Sequence, residues 1–163
     1  MVTTSAGILP YRIAADGTVS ALVAHMGGPF WSAKDAGAWS IVKGEYHPDG
    51  EAALDAARRE FREELGLEAP DGPYAELGTF SYSSGKRITV FVVDGADLDV
   101  SGAVFGEFEM EWPPRSGRTA SFPEVDRVEW VDLGRARELL VKGQRPALDR
   151  LADLVHGENS PSP

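Results

Sequence analysis

One stretch, residues 44–67, constrains this chain more than any other; it reads GEYHPDGEAALDAARREFREELGL. A turn-rich segment is followed by a run from Glu51 to Leu65 without Gly or Pro, and Gly66 stands where a helix commonly ends. This pattern predicts a helix with one face packed against a core. The apolar residues that recur at helical spacing are Leu54, Ala57, Phe61 and Leu65.

A neighbouring face of the same helix carries three carboxylates, Glu60, Glu63 and Glu64. Side chains three and four residues apart are neighbours on a helix, so these charges repel by roughly 0.2–0.5 kcal/mol per pair in water. Oxygen ligands gathered in this way suit a hard divalent cation such as Mg²⁺. The alternative is an ordinary solvated face, in which Arg59 pairs with Glu63 four residues further along.

The order of the residues favours the metal site. From Glu51, the chain continues to Arg59-Glu60-Phe61, then Glu63-Glu64, and ends at Gly66-Leu67. This series resembles the signature of the Nudix hydrolase family, which runs from a Gly through a Glu to Arg-Glu-apolar-x-Glu-Glu-x-Gly-apolar. Every fixed position from Glu51 onward matches that signature.

The sequence departs from the family pattern at one place. The pattern has five residues between its first Gly and its first Glu, whereas six separate Gly44 from Glu51 here. The extra residue lies in the turn-rich segment 45–50, where a loop absorbs an insertion at low cost. The helical register is therefore unaffected, but the insertion bears on Gly44, whose carbonyl the resemblance implies to be near a metal.

The resemblance implies a reaction in which water attacks a phosphorus of a diphosphate linked to another moiety. Mg²⁺, with Mn²⁺ as a substitute, would neutralise phosphate oxygens and lower the pKa of the attacking water. Glu63 and Glu64 would be catalytic, and Arg59 would orient carboxylates of the motif. The implied metal ligands are Gly44, Glu60, Glu63 and Glu64.

The resemblance also bears on the substrate. The dipeptide Lys43-Gly44 is similar to the diadenosine polyphosphate hydrolase branch, and the chain as a whole is similar to bacterial Nudix proteins of the predicted nucleoside triphosphate pyrophosphohydrolase type. The expected substrate is therefore a small phosphorylated nucleotide, either a nucleoside triphosphate or a dinucleoside polyphosphate. The alternative is a catalytically silent nucleotide sensor or interaction module, which would be expected to have lost its metal-binding glutamates.

Members of this family often recruit a further acid from outside the motif. Three candidates alternate with apolar residues in FGEFEMEW, residues 105–112, and can equally form the solvent face of an edge strand. Glu109 is the first choice for a catalytic role and Glu124 the second. The full set of candidates is Glu107, Glu109, Glu111 and Glu124.

Several cations are candidates for phosphate binding, although each can equally be an ordinary surface residue. Lys43 immediately precedes the motif, and Arg115 and Arg118 lie in a Pro/Gly/Ser loop suited to binding. The full set is Lys43, Arg87, Arg115 and Arg118, with Lys86 beside them. The aromatic candidates for base stacking, for which core packing is the alternative, are Trp31, Trp39, Tyr46, Tyr82 and Trp112.

Composition excludes several other classes of protein. The chain has no cysteine, which excludes disulfides and thiolate metal sites. A formal charge of -10 disfavours a nucleic-acid polymer as partner but allows a small phosphorylated ligand in a local basic pocket. No long apolar run or basic-then-apolar N-terminus is present, so we expect no membrane association and a cytoplasmic location. The sequence is compatible with a homodimer.

The order of elements predicts an α/β protein with a mixed sheet, in agreement with the Nudix-type α/β/α sandwich that the resemblance implies. We expect one Nudix hydrolase domain over residues 1–156 and a flexible C-terminal tail over 157–163. Pro10 suggests that the first strand is an edge strand or contains a bulge. The predicted strands are 5–13, 19–26, 39–42, 74–82, 87–93 (a central strand), 105–112 and 125–131, with a loop at 113–123 and helices at 51–65, 133–141 and 144–155.

Overall fold

The computed structural model describes residues 3–159. A short 3-10 turn at Lys142–Gln144 precedes the last helix. The strands and helices of this part of the chain are, in order, β1 (Thr4–Ile13), β2 (Val19–Met26), β3 (Trp39–Ser40), β4 (Val42–Glu45), α1 (Ala53–Leu65), β5 (Ala75–Ser81), β6 (Arg87–Asp94), β7 (Glu107–Glu111), β8 (Thr119–Pro123), β9 (Val125–Asp132), α2 (Leu133–Leu139) and α3 (Arg145–Asn159).

Seven strands of the described residues form one mixed sheet, which confirms the predicted sheet type. Its order is β3-β2-β1-β6-β5, with β4 beside β1 and β9 beside β2. β1 and β6 run parallel, whereas the other pairs are antiparallel. β6 is buried from Ile88 to Val93 and lies between β1 and β5, which confirms the prediction of a central strand.

β1 is an interior strand, so the edge position suggested by Pro10 is wrong. On one side it pairs with β6 along its length. On its other side it pairs with β4 as far as Ile8 and with β2 from Tyr11 onward. Pro10 lies where the partner changes, and a residue without an N–H group is tolerated at such an interruption of the ladder.

The core lies on both faces of the sheet. α1 covers one face, where Phe61 and Leu65 pack with Ile8 and Phe91. The other face is covered by α2 and α3 around a second buried cluster. Burial of each large apolar side chain stabilises this arrangement by about 1.5–3 kcal/mol. The resulting three layers confirm the predicted α/β/α sandwich.

β7 and β8 form a separate two-stranded hairpin, with Phe108 opposite Phe122. The prediction of a loop throughout 113–123 is therefore wrong for β8. Pro, Gly and Ser residues dominate that segment, but they occupy the turn at 113–118, while Ala120 and Phe122 alternate with more exposed residues along the strand. The hairpin thus has one apolar face.

The helix boundaries differ slightly from those predicted. α2 ends at Leu139 because Leu140 already has extended backbone. α3 continues to Asn159 and so includes residues 157–159 of the predicted tail, whereas residues 160–163 of that tail lie outside the described residues. Over residues 3–159, no helix combines the length and the apolar character needed to cross a membrane.

Candidate active site

The acidic helix is positioned by its apolar face. Ala56, Ala57, Phe61 and Leu65 are buried against the sheet. Gly66 ends α1 in the left-handed region at φ 64°, and its N–H donates to the carbonyl of Arg62, as expected for a helix C-terminus. Because the apolar face fixes the rotation of α1, its glutamates extend from the neighbouring face.

These glutamates line a cavity of about 550 Å³, hereafter the acidic cavity. α1 provides one wall of the cavity and β4 provides a second. The third wall consists of Gly106 and Glu107 at the start of β7 and of Glu124 just before β9. The structure therefore brings together five residues singled out from the sequence as metal or phosphate ligands. All the lining residues are Lys43, Gly44, Glu45, Glu60, Glu63, Glu64, Gly106, Glu107 and Glu124.

Gly44 lies directly against the carboxylate of Glu60. A Cβ atom at Gly44 would be 2.0 Å from the Cδ and Oε2 atoms of Glu60, so any larger residue would displace this carboxylate. The extra residue before α1 does not disturb this contact. It is taken up in the turn between β4 and α1, where the N–H groups of Gly50 and Glu51 both donate to the carbonyl of His47 at 3.0 and 3.1 Å.

Arg59 connects three carboxylates of the motif. Its Nε and Nη2 atoms donate to the two carboxylate oxygens of Glu51, both at 2.9 Å. Its Nη1 atom donates to Glu60 at 2.9 Å and to Glu63 at 3.2 Å. These hydrogen bonds raise the pKa of the Arg59 guanidinium and lower that of Glu51. The paired contact with Glu51 fixes the guanidinium, which in turn orients the other two carboxylates.

Two glutamates of the cavity are held in a proton-binding environment. Burial is the main cause of the raised pKa of Glu60, and Glu63 and Glu124 add to it, although Arg59 opposes the shift. Burial, followed by a hydrogen bond with Glu124 and the charge of that residue, raises the pKa of Glu64 to about 8. Carboxylates in this environment are destabilised when ionised unless a cation approaches them.

Lys43 is the one lysine that lines the acidic cavity within the described residues. Burial lowers the pKa of its ammonium group, whereas the charge of Glu64 raises it. A partly desolvated ammonium next to several carboxylates is placed to bind an anionic ligand that enters the cavity. The sequence identified this residue by its position immediately before Gly44.

Main-chain hydrogen bonds fix the third wall of the cavity. At the end of α1, Val104 donates to the carbonyl of Leu65 at 2.8 Å and Gly106 to that of Glu64 at 3.3 Å. Glu124 donates in turn to the carbonyl of Gly106 at 2.8 Å. This chain of contacts explains why Glu124, which is distant from the motif in sequence, lies beside Glu64.

Glu109, the first choice for an acid outside the motif, is not among the described residues that line the acidic cavity. The cavity reaches only the start of β7, at Gly106 and Glu107, and Glu109 lies two residues further along, about 6.6 Å away. Glu107 does line it and accepts a hydrogen bond from Ser121 at 3.1 Å. Alternation identified the exposed face of β7, but it could not show where along the strand the cavity ends.

The three predicted phosphate-binding arginines also lie outside this cavity. Arg87 begins β6 and is exposed. Arg115 and Arg118 are exposed in the turn of the β7–β8 hairpin, where the N–H of Arg115 donates to Glu111 at 2.6 Å. Sequence reasoning missed Glu45, although its position next to Gly44 could have indicated it.

The cavity is suited to a divalent cation, but its ligands are not yet arranged as a metal site. Within residues 3–159, no three acidic or histidine side chains converge as such a site. Arg59 engages Glu60 and Glu63, so these carboxylates are held by a cation of the chain itself. Burial, with the neighbouring carboxylates, raises the pKa values of Glu60 and Glu64, and a hard cation bound by oxygen ligands would stabilise their ionised forms.

Comparison with known proteins identifies the family. The model of the NUDIX domain matches residues 11–151. The chain therefore belongs to the Nudix family, and its class is that of the Nudix pyrophosphohydrolases. Comparison with curated proteins finds no match to this chain.

Solved structures show the same fold. An Ap4A hydrolase from C. elegans superposes with a TM-score of 0.65 at 20% identity, covering 96% of this chain and 99% of that one. The NUDIX domain of NrtR from Shewanella oneidensis, solved with ADP ribose, gives 0.61 at 10% identity over 95% and 89%. The MutT protein from Methanosarcina mazei gives 0.59 at 19% identity over 98% and 96%.

Proposed function

We propose that the acidic cavity is the active site of a Mg²⁺-dependent pyrophosphohydrolase that acts on a nucleoside diphosphate derivative, either a nucleoside triphosphate or a dinucleoside polyphosphate. The observation that carries this proposal is that Glu60, Glu63, Glu64 and Glu124 line one cavity together with Lys43. Mg²⁺, or Mn²⁺ in its place, would neutralise phosphate oxygens and make the attacking water more acidic.

The residues of the cavity divide into distinct roles. Gly44, Glu60, Glu63 and Glu64 would hold the cation, with the missing side chain of Gly44 allowing Glu60 to reach the site. Arg59 positions Glu60 and Glu63 through its hydrogen bonds and does not contact substrate. On loading, these two carboxylates would share their oxygens between Arg59 and the cation.

Glu124 replaces Glu109 as our candidate for the acid outside the motif. Its carboxylate lies beside that of Glu64 and contributes to the raised pKa of that residue, which supports the sharing of a proton by the pair. We infer that a cation bound by Glu64 leaves Glu124 free to accept the proton of the attacking water. Lys43 would bind a phosphate oxygen of the substrate.

Arg87, Arg115 and Arg118 are given a narrower role because they lie outside the cavity. They would contact only a substrate that extends beyond it, such as the second nucleotide of a dinucleoside polyphosphate. The similar Ap4A hydrolase and the similar NUDIX domain solved with ADP ribose support this class of ligand. Ap4A and ADP ribose both contain a nucleoside diphosphate joined to another group. Lys43 is therefore the cation that we assign to the reacting diphosphate.

The test is a panel assay with Mg²⁺ and with a chelator. Diadenosine polyphosphates, nucleoside triphosphates, sugar nucleotides and ADP ribose are incubated with the protein, and the products are resolved by chromatography. We expect turnover of a nucleotide only with Mg²⁺, and its loss in Glu63→Gln. Turnover that persists in the chelator would contradict the proposal, as would tight nucleotide binding without turnover, which would indicate a sensor.

A further inference from the structure

A second cavity, of about 500 Å³, adjoins the acidic cavity; we refer to it as the apolar cavity. It lies between residues 26–31, which begin at the last residue of β2, and the apolar face of the β7–β8 hairpin. Phe30 and Trp31 contribute from the first side and Phe108 and Met110 from the second. Three aromatic rings and a flexible thioether make these walls suited to a flat, polarisable ligand.

Two glycines allow the walls to approach each other. A Cβ atom at Gly27 would lie 2.0 Å from the carbonyl oxygen of Pro123, so the backbone of this segment is in direct contact with the end of β8. Gly28 has φ 93°, and a Cβ there would lie 3.0 Å from the ring of Phe108. The apolar cavity is therefore built by close packing between the segment and the hairpin.

Glu124 lines both cavities. Its main chain also joins their walls, because its carbonyl accepts a hydrogen bond from Gly27 at 3.0 Å and its N–H donates to Gly106 at 2.8 Å. The two cavities therefore meet at Glu124. A ligand with its diphosphate beside Glu64 would place its next group on the side of Glu124 that bears the aromatic rings.

We propose that the apolar cavity binds the uncharged aromatic base of the nucleotide whose diphosphate occupies the acidic cavity. This inference rests on the proposed function. Phe30 is 56% exposed, a large apolar surface to leave in water, and Trp112 packs edge-on against it with ring centroids 5.6 Å apart. Phe30 is therefore a supported yet accessible ring at the rim of the cavity, as stacking on a base requires.

The charge of the apolar cavity disfavours a phosphorylated group as its ligand. Among the described residues that line it, Glu124 alone is charged, and no lysine or arginine is present. A second phosphate or an inositol phosphate would meet a carboxylate and no counterion. Glu124 can instead accept a hydrogen bond from an amino group of a base. An alkyl diphosphate would fill the apolar walls without using this acceptor, and it is the competing ligand in the test.

The test compares ligands that share a diphosphate but differ in the attached group. Binding of the α,β-methylene analogues of ADP, GDP, CDP and UDP is measured by calorimetry in Mg²⁺, with methylenediphosphonate as the ligand without a base and dimethylallyl diphosphate as the apolar ligand. We expect at least one nucleotide analogue to bind at least about tenfold more tightly than methylenediphosphonate, as stacking on aromatic rings predicts. Equal affinities, or tighter binding of dimethylallyl diphosphate, would overturn the proposal.

Variants of the walls identify where the base binds. Phe30→Ala and Phe108→Ala should remove most of the preference for the nucleotide while leaving the affinity for methylenediphosphonate unchanged, and Phe30→Trp should retain the preference. The control is Ile13→Ala, which shortens another exposed apolar side chain and lies outside both cavities. A preference that survives both alanine substitutions would overturn the assignment of this cavity.

The outcome can be separated from that of the proposed function. Hydrolysis of nucleotides with Mg²⁺, together with a preference that does not depend on Phe30 or Phe108, would refute the base site and leave the active site intact. Binding that depends on Phe30, without hydrolysis of any nucleotide, would refute the activity and support the base site.

Discussion

Within residues 3–159, two cavities of about 550 Å³ are rich in carboxylates, and they differ in what the carboxylates contact. One is the acidic cavity beside α1. The other, the surface acidic cavity, lies at the ends of β5 and β6, and five acidic side chains of the described residues line it, against six in the acidic cavity. Its acidic residues are Glu68, Asp71, Asp94, Asp97 and Asp99.

The carboxylates of the surface acidic cavity are exposed, and some of them stabilise turns. Asp94 accepts a hydrogen bond from the N–H of Ala96 at 2.8 Å, and Asp99 accepts one from Ser101 at 2.9 Å. The hydrogen bond from Ser101 lowers the pKa of Asp99. Beside α1 the opposite holds, because burial and a second carboxylate raise the pKa of Glu64. Partial burial of Glu60 and Glu64 and the coupling of Glu64 to Glu124, more than the difference of one acid, distinguish the candidate metal site.

The largest effect is expected from removing a charge beside α1. Glu63→Gln and Glu64→Gln should each lower kcat by at least about 10²-fold, the loss typical for one group that stabilises transition-state charge. Asp97→Asn, the matched change in the surface acidic cavity, should leave kcat unchanged. Rates are measured with Mg²⁺ after circular dichroism has shown that each variant is folded. Equal losses at both cavities would remove the distinction drawn between them.

Gly44→Ala should have the next largest effect. The new Cβ would displace the Glu60 carboxylate, and a displacement of about 1 Å can lower a rate by about 10²-fold. Gly102→Ala is the control because no atom lies within 4 Å of its Cβ position. Steady-state kinetics that are the same for both variants would show that the close approach of Gly44 to Glu60 has no role.

Arg59→Lys should lower kcat/KM by roughly 10- to 100-fold, as is typical when a group that orients metal ligands is lost. A lysine cannot reproduce the paired hydrogen bonds to Glu51 together with the contacts to Glu60 and Glu63. The melting temperature should also fall. The matched control is Arg62→Lys, which changes an exposed residue with a long contact of 3.8 Å to Glu68. This variant should retain both kcat/KM and the melting temperature.

The stability of the metal-free protein should decrease as pH rises from 4.5 to 8. In this range folded Glu64, with its pKa raised from 4.5 to about 8, binds a proton that the unfolded chain releases. Since the folded state binds more protons, its free energy of unfolding falls with increasing pH. Chemical denaturation in a chelator measures this slope, which should be reduced in Glu64→Gln and by added Mg²⁺. An unchanged slope in Glu64→Gln would refute the raised pKa of Glu64.

The smallest effect is expected from deleting Asp49. This residue lies in the turn that takes up the additional residue, outside β4 and α1, so its loss should change kcat/KM by less than about threefold. Mg²⁺ binding should also be retained. Loss of Mg²⁺ binding would show instead that the longer turn shapes the site.

The fold and the part of the site that lies on α1 could be predicted from the sequence because they depend on local periodicity. The helix α1, its end at Gly66 and the carboxylates of its neighbouring face follow from spacing along a single element. Glu124 could not be chosen over Glu109 in the same way, because its position depends on contacts between Gly106, α1 and β9. The position of Pro10 likewise depends on which strands flank β1, and this is not encoded in β1 itself.

The measurement that most directly tests the account is a titration of the protein with Mn²⁺, followed by electron paramagnetic resonance of the free ion. Mn²⁺ prefers the same oxygen ligands as Mg²⁺. We predict binding that is weakened strongly by Glu64→Gln and is unaffected by Asp97→Asn. Weakened binding in Asp97→Asn together with unchanged binding in Glu64→Gln would contradict the assignment of the metal site to the partly buried carboxylates beside α1.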